Sequence, residues 1–210
     1  RVIPGRYPET PESYLLINDG RGKFASQAVS LAPGLQQLGM VTDAVFMDVN
    51  NDSVHDLVVV GEWLPVTVFI NDHGKLKNET DNYFDKAYTG WWNKLDTADF
   101  NGDGRVDLLV GNYGHNAQFH ASDSEPAEMY YKDFDDNGSV DPIFCCYING
   151  KSYPFVTRDE LLDQMSSMRT RYSDYRSYAN TVLHDLFPDE ELKDAGRLRV
   201  GQRDRRGAGR

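Results

Sequence analysis

Residues 99–107 read Asp99-Phe-Asn-Gly-Asp-Gly-Arg-Val-Asp107 and run directly into Leu108-Leu-Val-Gly111. Acidic or amide side chains stand at positions 1, 3, 5 and 9 of this stretch, glycine stands at position 6, and an apolar run follows. Upstream, Asp48-Val-Asn-Asn-Asp-Ser-Val-His-Asp56 precedes Leu57-Val-Val-Val-Gly61. Downstream, Asp133-Phe-Asp-Asp-Asn-Gly-Ser-Val-Asp141 precedes Pro142-Ile-Phe-Cys-Cys-Tyr147. One unit therefore occurs three times, and self-similarity at intervals of tens of residues marks a repeat architecture.

Alternate residues of a tight loop turn their oxygens inward, and a hard cation such as Ca²⁺ takes six to eight of them. The ligand set expected of the first loop is Asp48, Asn50, Asp52, the Val54 carbonyl and Asp56. For the second it is Asp99, Asn101, Asp103, the Arg105 carbonyl and Asp107. For the third it is Asp133, Asp135, Asn137, the Ser139 carbonyl and Asp141. Up to three Ca²⁺ ions are thus expected. Position 6 calls for a residue that tolerates positive φ, which Gly104 and Gly138 supply and Ser53 does not, so the first loop is expected to be strained or weaker. Asp, Asn and Gly also make ordinary turns, but carboxylates about 4 Å apart repel by roughly 4 kcal/mol at an effective dielectric near 20. That is a costly way to build a turn three times over. An EF-hand needs a ligand at position 12 and a helix after it. Here position 12 is Val59, Val110 and Phe144, each inside an apolar run, so the loops join strands.

A second element recurs. Tyr14-Leu-Leu-Ile-Asn-Asp-Gly-Arg-Gly-Lys-Phe24 matches Val68-Phe-Ile-Asn-Asp-His-Gly-Lys-Leu76, a strand, an Asn-Asp turn and a return strand. The stretch 41–79 then reads as strands near 43–48, 56–61, 66–70 and 75–79, and four strands per repeat make one propeller blade. The fold class expected is mainly β: a partial β-propeller of four-stranded antiparallel blades with Ca²⁺-binding loops, followed by a C-terminal α-helical segment. Blades occupy 1–156, about three plus the end of an earlier one. The spacing from the second loop to the third is tight for four strands, so that blade is expected to be abbreviated. A helical insertion or the start of another unit occupies 157–195, opened by the capping box Thr157-Arg-Asp-Glu160. Its first helix would turn Leu161, Met165, Met168 and Tyr172 inward, and a second, capped by Ser173 or Asp174, would turn Tyr175, Tyr178, Ala179, Val182, Leu183 and Leu186 inward before Pro188. Residues 196–210 carry six arginines against one aspartate and are expected to form a basic flexible tail.

The acidic loops followed by Asp-Leu-Val-Val-Gly-type strands, and the Asn-Asp-Gly-x-Gly-Lys-Phe hairpin, resemble FG-GAP/VCBS repeats, the blades of integrin α-chain propellers. Gly61-Glu-Trp63, Gly90-Trp-Trp-Asn93, Gly111-Asn-Tyr-Gly-His-Asn116 and Tyr153-Pro-Phe-x-x-Arg-Asp-Glu-Leu161 are similar to large bacterial surface propellers associated with ASPIC/UnbV domains. The resemblance implies a secreted or surface protein, without catalysis, that binds calcium on its blades. Too few blades are present to close a ring, so the chain is expected to be a piece of a longer one whose remainder completes the propeller.

The charge points the same way. The net charge is −11, and the basic tail leaves the remainder more acidic still. Such a body repels phosphate backbones, which argues against nucleic-acid binding. The apolar runs are too short to cross a bilayer. Extracellular modules bind Ca²⁺ at about 0.1–1 mM, so an extracytoplasmic location is expected. Cys145 and Cys146 are neighbours on a strand and build no disulfide framework. The five histidines show no metal or triad spacing, and no phosphate loop or nucleophile elbow occurs. The function expected is that of a non-catalytic scaffold for a protein or glycan ligand, with Trp63, Trp91, Trp92, Asn112, Tyr113, His115 and Asn116 as candidate contacts. The alternative is a propeller-fold carbohydrate-active hydrolase or lyase using a pair of acids.

Overall fold

A computed structural model describes residues 6–113 and 117–201. It is mainly β with antiparallel sheets, and the described residues divide into two compact units: 9–113, and 6–8 with 117–201.

The first unit begins with the hairpin of β1 (Leu16–Asn18) and β2 (Phe24–Ser26). Its turn is tied by side chains: Asn18 Oδ1 accepts from the Gly20 N–H at 2.8 Å and Asp19 Oδ1 from the Arg21 N–H at 2.8 Å. After a short helix, α1 (Ala28–Leu31), come β3 (Met40–Met47), β4 (Asp56–Pro65), β5 (Thr67–Asp72) and β6 (Lys75–Asn78). Each pairs antiparallel with the next, giving the four-stranded meander expected between 41 and 79.

The ten-residue β4 is central, and its alternation serves two cores. Leu57 and Val59 face Phe69, Leu76, Ala32 and Leu35, whereas Val58 and Val60 face Val66, Val68 and Leu95. A strand buried on both faces reads as an unbroken apolar run, which is why Leu57-Val-Val-Val shows no polar alternation.

The late part of β4 pairs with β7 (Thr89–Ala98), which pairs in turn with β8 (Asp107–Asn112). The sheet order is thus β6-β5-β4-β7-β8 with β3 also on β4, and the two repeats share one sheet. Asp43 holds them in register: its Oδ2 accepts from the Leu95 N–H at 2.9 Å and pairs with Lys94 Nζ at 2.8 Å. The Leu95 backbone donor, with help from Lys94, holds the Asp43 carboxyl below its ordinary range. A depressed acid contributes stability that is complete above its unfolded value and is lost as pH falls through the folded one. Acid unfolding followed by tryptophan fluorescence should therefore be steeper below the ordinary carboxylate range in the native chain than in Asp43→Asn.

The second unit has the sheet order β11-β10-β9-β12, from β9 (Ala127–Lys132), β10 (Asp141–Ile148), β11 (Lys151–Pro154) and β12 (Gly196–Val200). The strand β12 corrects the expectation of a flexible tail over its first five residues. Leu198 and Val200 alternate with Arg197 and Arg199, and Arg197 reaches the buried Glu128 carboxylate on β9 while Arg199 lies 4.0 Å from it. Composition reads such a segment as solvated; a buried acid across the strand reverses that. Residues 202–210 lie outside the described residues.

Between β11 and β12 the chain forms α2 (Arg158–Gln164), a 3₁₀ turn at Ser166–Thr170, and the short helices α3 (Tyr175–Tyr178), α4 (Leu183–Leu186) and α5 (Asp189–Lys193). The Thr157 capping box is present, and Asp174 rather than Ser173 caps α3. The two helices expected are broken into these pieces because Met165 and Val182 take extended backbone angles. Of the residues expected inward, Leu161, Met165, Tyr172, Leu183 and Leu186 pack with Phe187 on Ile143 and Cys145 of β10, and Met168 and Tyr178 are partly buried against them. Ala179 is exposed, and Tyr175 lies at the surface instead, its hydroxyl donating to Asp159 at 2.7 Å. Among the described residues no helix is long and apolar enough to cross a membrane.

Candidate cation-binding loops

All three loops join antiparallel strands: β3 to β4, β7 to β8 and β9 to β10. Their internal hydrogen bonds repeat almost atom for atom. The position 1 carboxylate accepts from the backbone N–H groups of positions 5 and 6, at 3.1 and 2.9 Å for Asp48, 3.1 and 2.9 Å for Asp99, and 3.0 and 2.8 Å for Asp133. The position 5 oxygen accepts from the N–H of position 7: Asp52 from Val54, Asp103 from Arg105, Asn137 from Ser139. The position 9 carboxylate accepts from the N–H of position 2 at 2.9 Å in every case: Asp56 from Val49, Asp107 from Phe100, Asp141 from Phe134. Three stretches of chain with the same side chains at the same spacing thus reach the same local minimum. The backbone donors, Gly104 foremost, hold Asp99 below the ordinary carboxylate range.

Position 6 is left-handed as expected, with φ of 68° at Ser53, 84° at Gly104 and 88° at Gly138. Position 4 is left-handed as well, at Asn51, Gly102 and Asp136, a requirement the sequence reading missed. Its signal was available, because Asn, Asp and Gly are the residues that tolerate this region. Ser53 takes the strained conformation rather than avoiding it. Ser53→Gly should stabilise the native state by about 0.5–1 kcal/mol, the left-handed penalty less the added entropy of glycine, measurable by urea unfolding.

At position 3 the loops part company. Asn50 and Asn101 accept from the N–H groups of Asp52 and Asp103. In the third loop Asp135 Oδ1 is buried and has no hydrogen-bond partner. Carboxylate oxygens of Asp133, Asp135 and Asp141 lie within 4.8 Å of one another, the one such acidic group among the described residues. Asp141 is 1% exposed, and burial, reinforced by Asp135 and Asp133, pushes its carboxyl above the ordinary range. The fit to a hard cation is good: oxygen donors only, one of them buried without a donor of its own, and gathered negative charge. The buried thiols Cys145 and Cys146 are pushed up to about 12, chiefly by desolvation.

The candidate ligand contacts fare unevenly. Trp63 is 6% exposed with φ of 60° and packs edge-on against Trp91 at 4.8 Å, so it supports the cluster rather than facing solvent. Trp92 is half-buried and donates its indole N–H to the Tyr88 carbonyl at 3.0 Å. Trp91 is half-buried, meets Tyr113 edge-on at 6.3 Å, and is tied to Asn112, whose Oδ1 accepts from the Trp91 N–H. Tyr113 is 51% exposed. The structure thus brings Trp63, Trp91, Asn112 and Tyr113 together. His115 and Asn116 lie outside the described residues. A cleft of about 410 Å³, missed in the sequence, is walled mainly by apolar residues of β4, β5 and β8 beside Tyr83 and Asp107.

Residues 48–110 match the FG-GAP-like repeat family and residues 91–140 match the FG-GAP repeat family. Residues 48–140 carry FG-GAP repeats. The matched span contains all of the first two loops and nearly all of the third, and FG-GAP repeats imply propeller blades. They indicate a propeller-like repeat module and are typical of extracellular proteins. No closed barrel is formed among the described residues. No curated protein matches the chain, and no solved structure does.

Proposed function

We propose that this FG-GAP repeat protein is a non-catalytic, extracytoplasmic scaffold whose loops hold up to three Ca²⁺ ions and whose rigid surface binds a protein or glycan. The observation that carries the reading is the buried, unpartnered Asp135 Oδ1 set among the carboxylates of Asp133 and Asp141. A neutralising cation removes the cost of gathering these acids. In the third loop the ion is held by Asp133, Asp135, Asn137, the Ser139 carbonyl and Asp141. In the first loop its ligands are Asp48, Asn50, Asp52, the Val54 carbonyl and Asp56; in the second, Asp99, Asn101, Asp103, the Arg105 carbonyl and Asp107. Each ion ties together the strands flanking its loop, and the cluster of Trp91, Asn112 and Tyr113 is the surface offered to a ligand.

The test is thermal unfolding in EGTA and in 10 mM Ca²⁺. A ligand at ten to a hundred times its dissociation constant adds about 1.4–2.7 kcal/mol per site. A rise of several degrees that Mg²⁺ fails to reproduce supports the reading; coincident curves overturn it.

A further inference from the structure

The third loop differs from the other two in what lies over it. At position 2 the first loop has the half-buried Val49 and the second has Phe100, 60% exposed. The third has Phe134, whose ring stacks on Phe187 at 4.0 Å with 21° between the planes. Phe187 is 2% exposed and belongs to the core formed by Leu161, Met165, Leu183 and Leu186. The peptide N–H of the same Phe134 donates to Asp141 Oδ2. A second tie comes from the last residue of α2: the Gln164 side-chain amide reaches the carbonyl of Pro142, the residue next to Asp141, at 3.5 Å. The helical segment is bound into one piece by its own hydrogen bonds, Arg158 to the carbonyls of Tyr172 and Ser173, Arg171 to that of Leu186, and Tyr178 to that of Val156.

We propose that Gln164 and Phe187 are positioning residues for the third cation site, so that Ca²⁺ at this loop and order in residues 157–193 are thermodynamically linked. The proposal rests on the calcium reading given above. Bringing Asp141 onto an ion fixes the Phe134 peptide and hence its ring, which is one wall of the helical core. Reciprocity requires the packed segment to raise the affinity of the loop by the same factor. Binding to the first two loops lacks this coupling, because Phe100 is 60% exposed and Val49 packs on the core of Val58, Val60 and Val68 rather than on the helical segment.

The experiment is hydrogen exchange followed by mass spectrometry of the whole chain across a calcium titration. Peptides covering 133–141 report occupancy of the third loop, and peptides covering 157–193 report helical order. Both sets are expected to gain protection with the same midpoint. Gln164→Met keeps the side-chain volume and removes the amide that holds the Pro142 carbonyl beside Asp141; it should shift that midpoint about tenfold higher, while leaving the midpoints at the first two loops in place. Phe187→Leu keeps an apolar core residue without the stack and should raise the midpoint about tenfold. Protection at 133–141 without any at 157–193, or an unshifted midpoint in both variants, overturns the linkage and leaves the calcium reading standing. No protection at any loop overturns the calcium reading itself.

Discussion

Gly61→Ala is expected to destabilise the first unit by about 3 kcal/mol or more, at the upper end of what overpacking costs. A Cβ there would collide with the Met40 carbonyl oxygen and lie 2.8 Å from Leu64 Cδ1. The obstacle is backbone, on a strand hydrogen-bonded opposite Gly61 at Val41, so no rotamer change relieves it. β3 must move off β4, and β4 carries both apolar cores of this unit. Gly111 ends the matching run of the next repeat and provides the control. A Cβ there would meet its nearest neighbour, the Lys94 carbonyl oxygen, at 3.6 Å, ordinary contact. Gly111→Ala should cost under about 1 kcal/mol. Urea unfolding of the two variants compares them directly, and equal losses would show that the close approach at Gly61 relaxes.

Asp135→Asn is expected to act with opposite signs in chelator and in calcium. Without an ion, the ionised carboxylates of Asp133, Asp135 and Asp141 repel within 4.8 Å, each pair by about 3.5 kcal/mol or more at an effective dielectric near 20. Removing one charge relieves part of this, and the melting temperature in EGTA should rise. In millimolar Ca²⁺ the variant lacks a charged ligand and forgoes most of the increment from that site, so its melting temperature should fall below that of the native chain. The pH dependence has a definite sign. Burial and its two acidic neighbours raise the Asp141 carboxyl, so it takes up a proton more readily in the folded chain than in the unfolded one. Without an ion its ionised form therefore costs stability, and the cost disappears as pH falls through the raised value. Calcium needs the ionised form, so affinity at the third loop should weaken over that same interval while stability in EGTA improves. A variant that lowers the melting temperature equally in both buffers would assign Asp135 to turn structure alone.

Much of the fold was legible because it rests on local chemistry. The loops close through side chains bonding to backbone two to seven residues away, so Asp48-Val-Asn-Asn-Asp and its two copies carry their geometry with them. The four strands of the meander followed from apolar runs between turn signals, and the Thr157 capping box is satisfied within four residues. The same locality explains the candidate site: ligand types, spacing and the left-handed position 6 are properties of nine consecutive residues.

What the sequence left open depends on partners far along the chain. Residues 196–200 read as a charged tail, and only Glu128, some seventy positions earlier, makes them a strand. Trp63 and Trp91 read alike, yet an irregularity of pairing between β4 and β7 buries the first and leaves the second half-open. Three acidic loops read as equals, and tertiary packing alone placed Phe187 and Gln164 over the third and left Asp135 Oδ1 buried without a partner. The sequence by itself determined the repeat, the loop geometry and the oxygen side chains that line it, because short-range hydrogen bonding and strand alternation are written in neighbouring residues. Only the tertiary structure decided which glycine is irreplaceable, which tryptophan is accessible and which loop is sealed, because burial is a property of what the rest of the chain brings into contact.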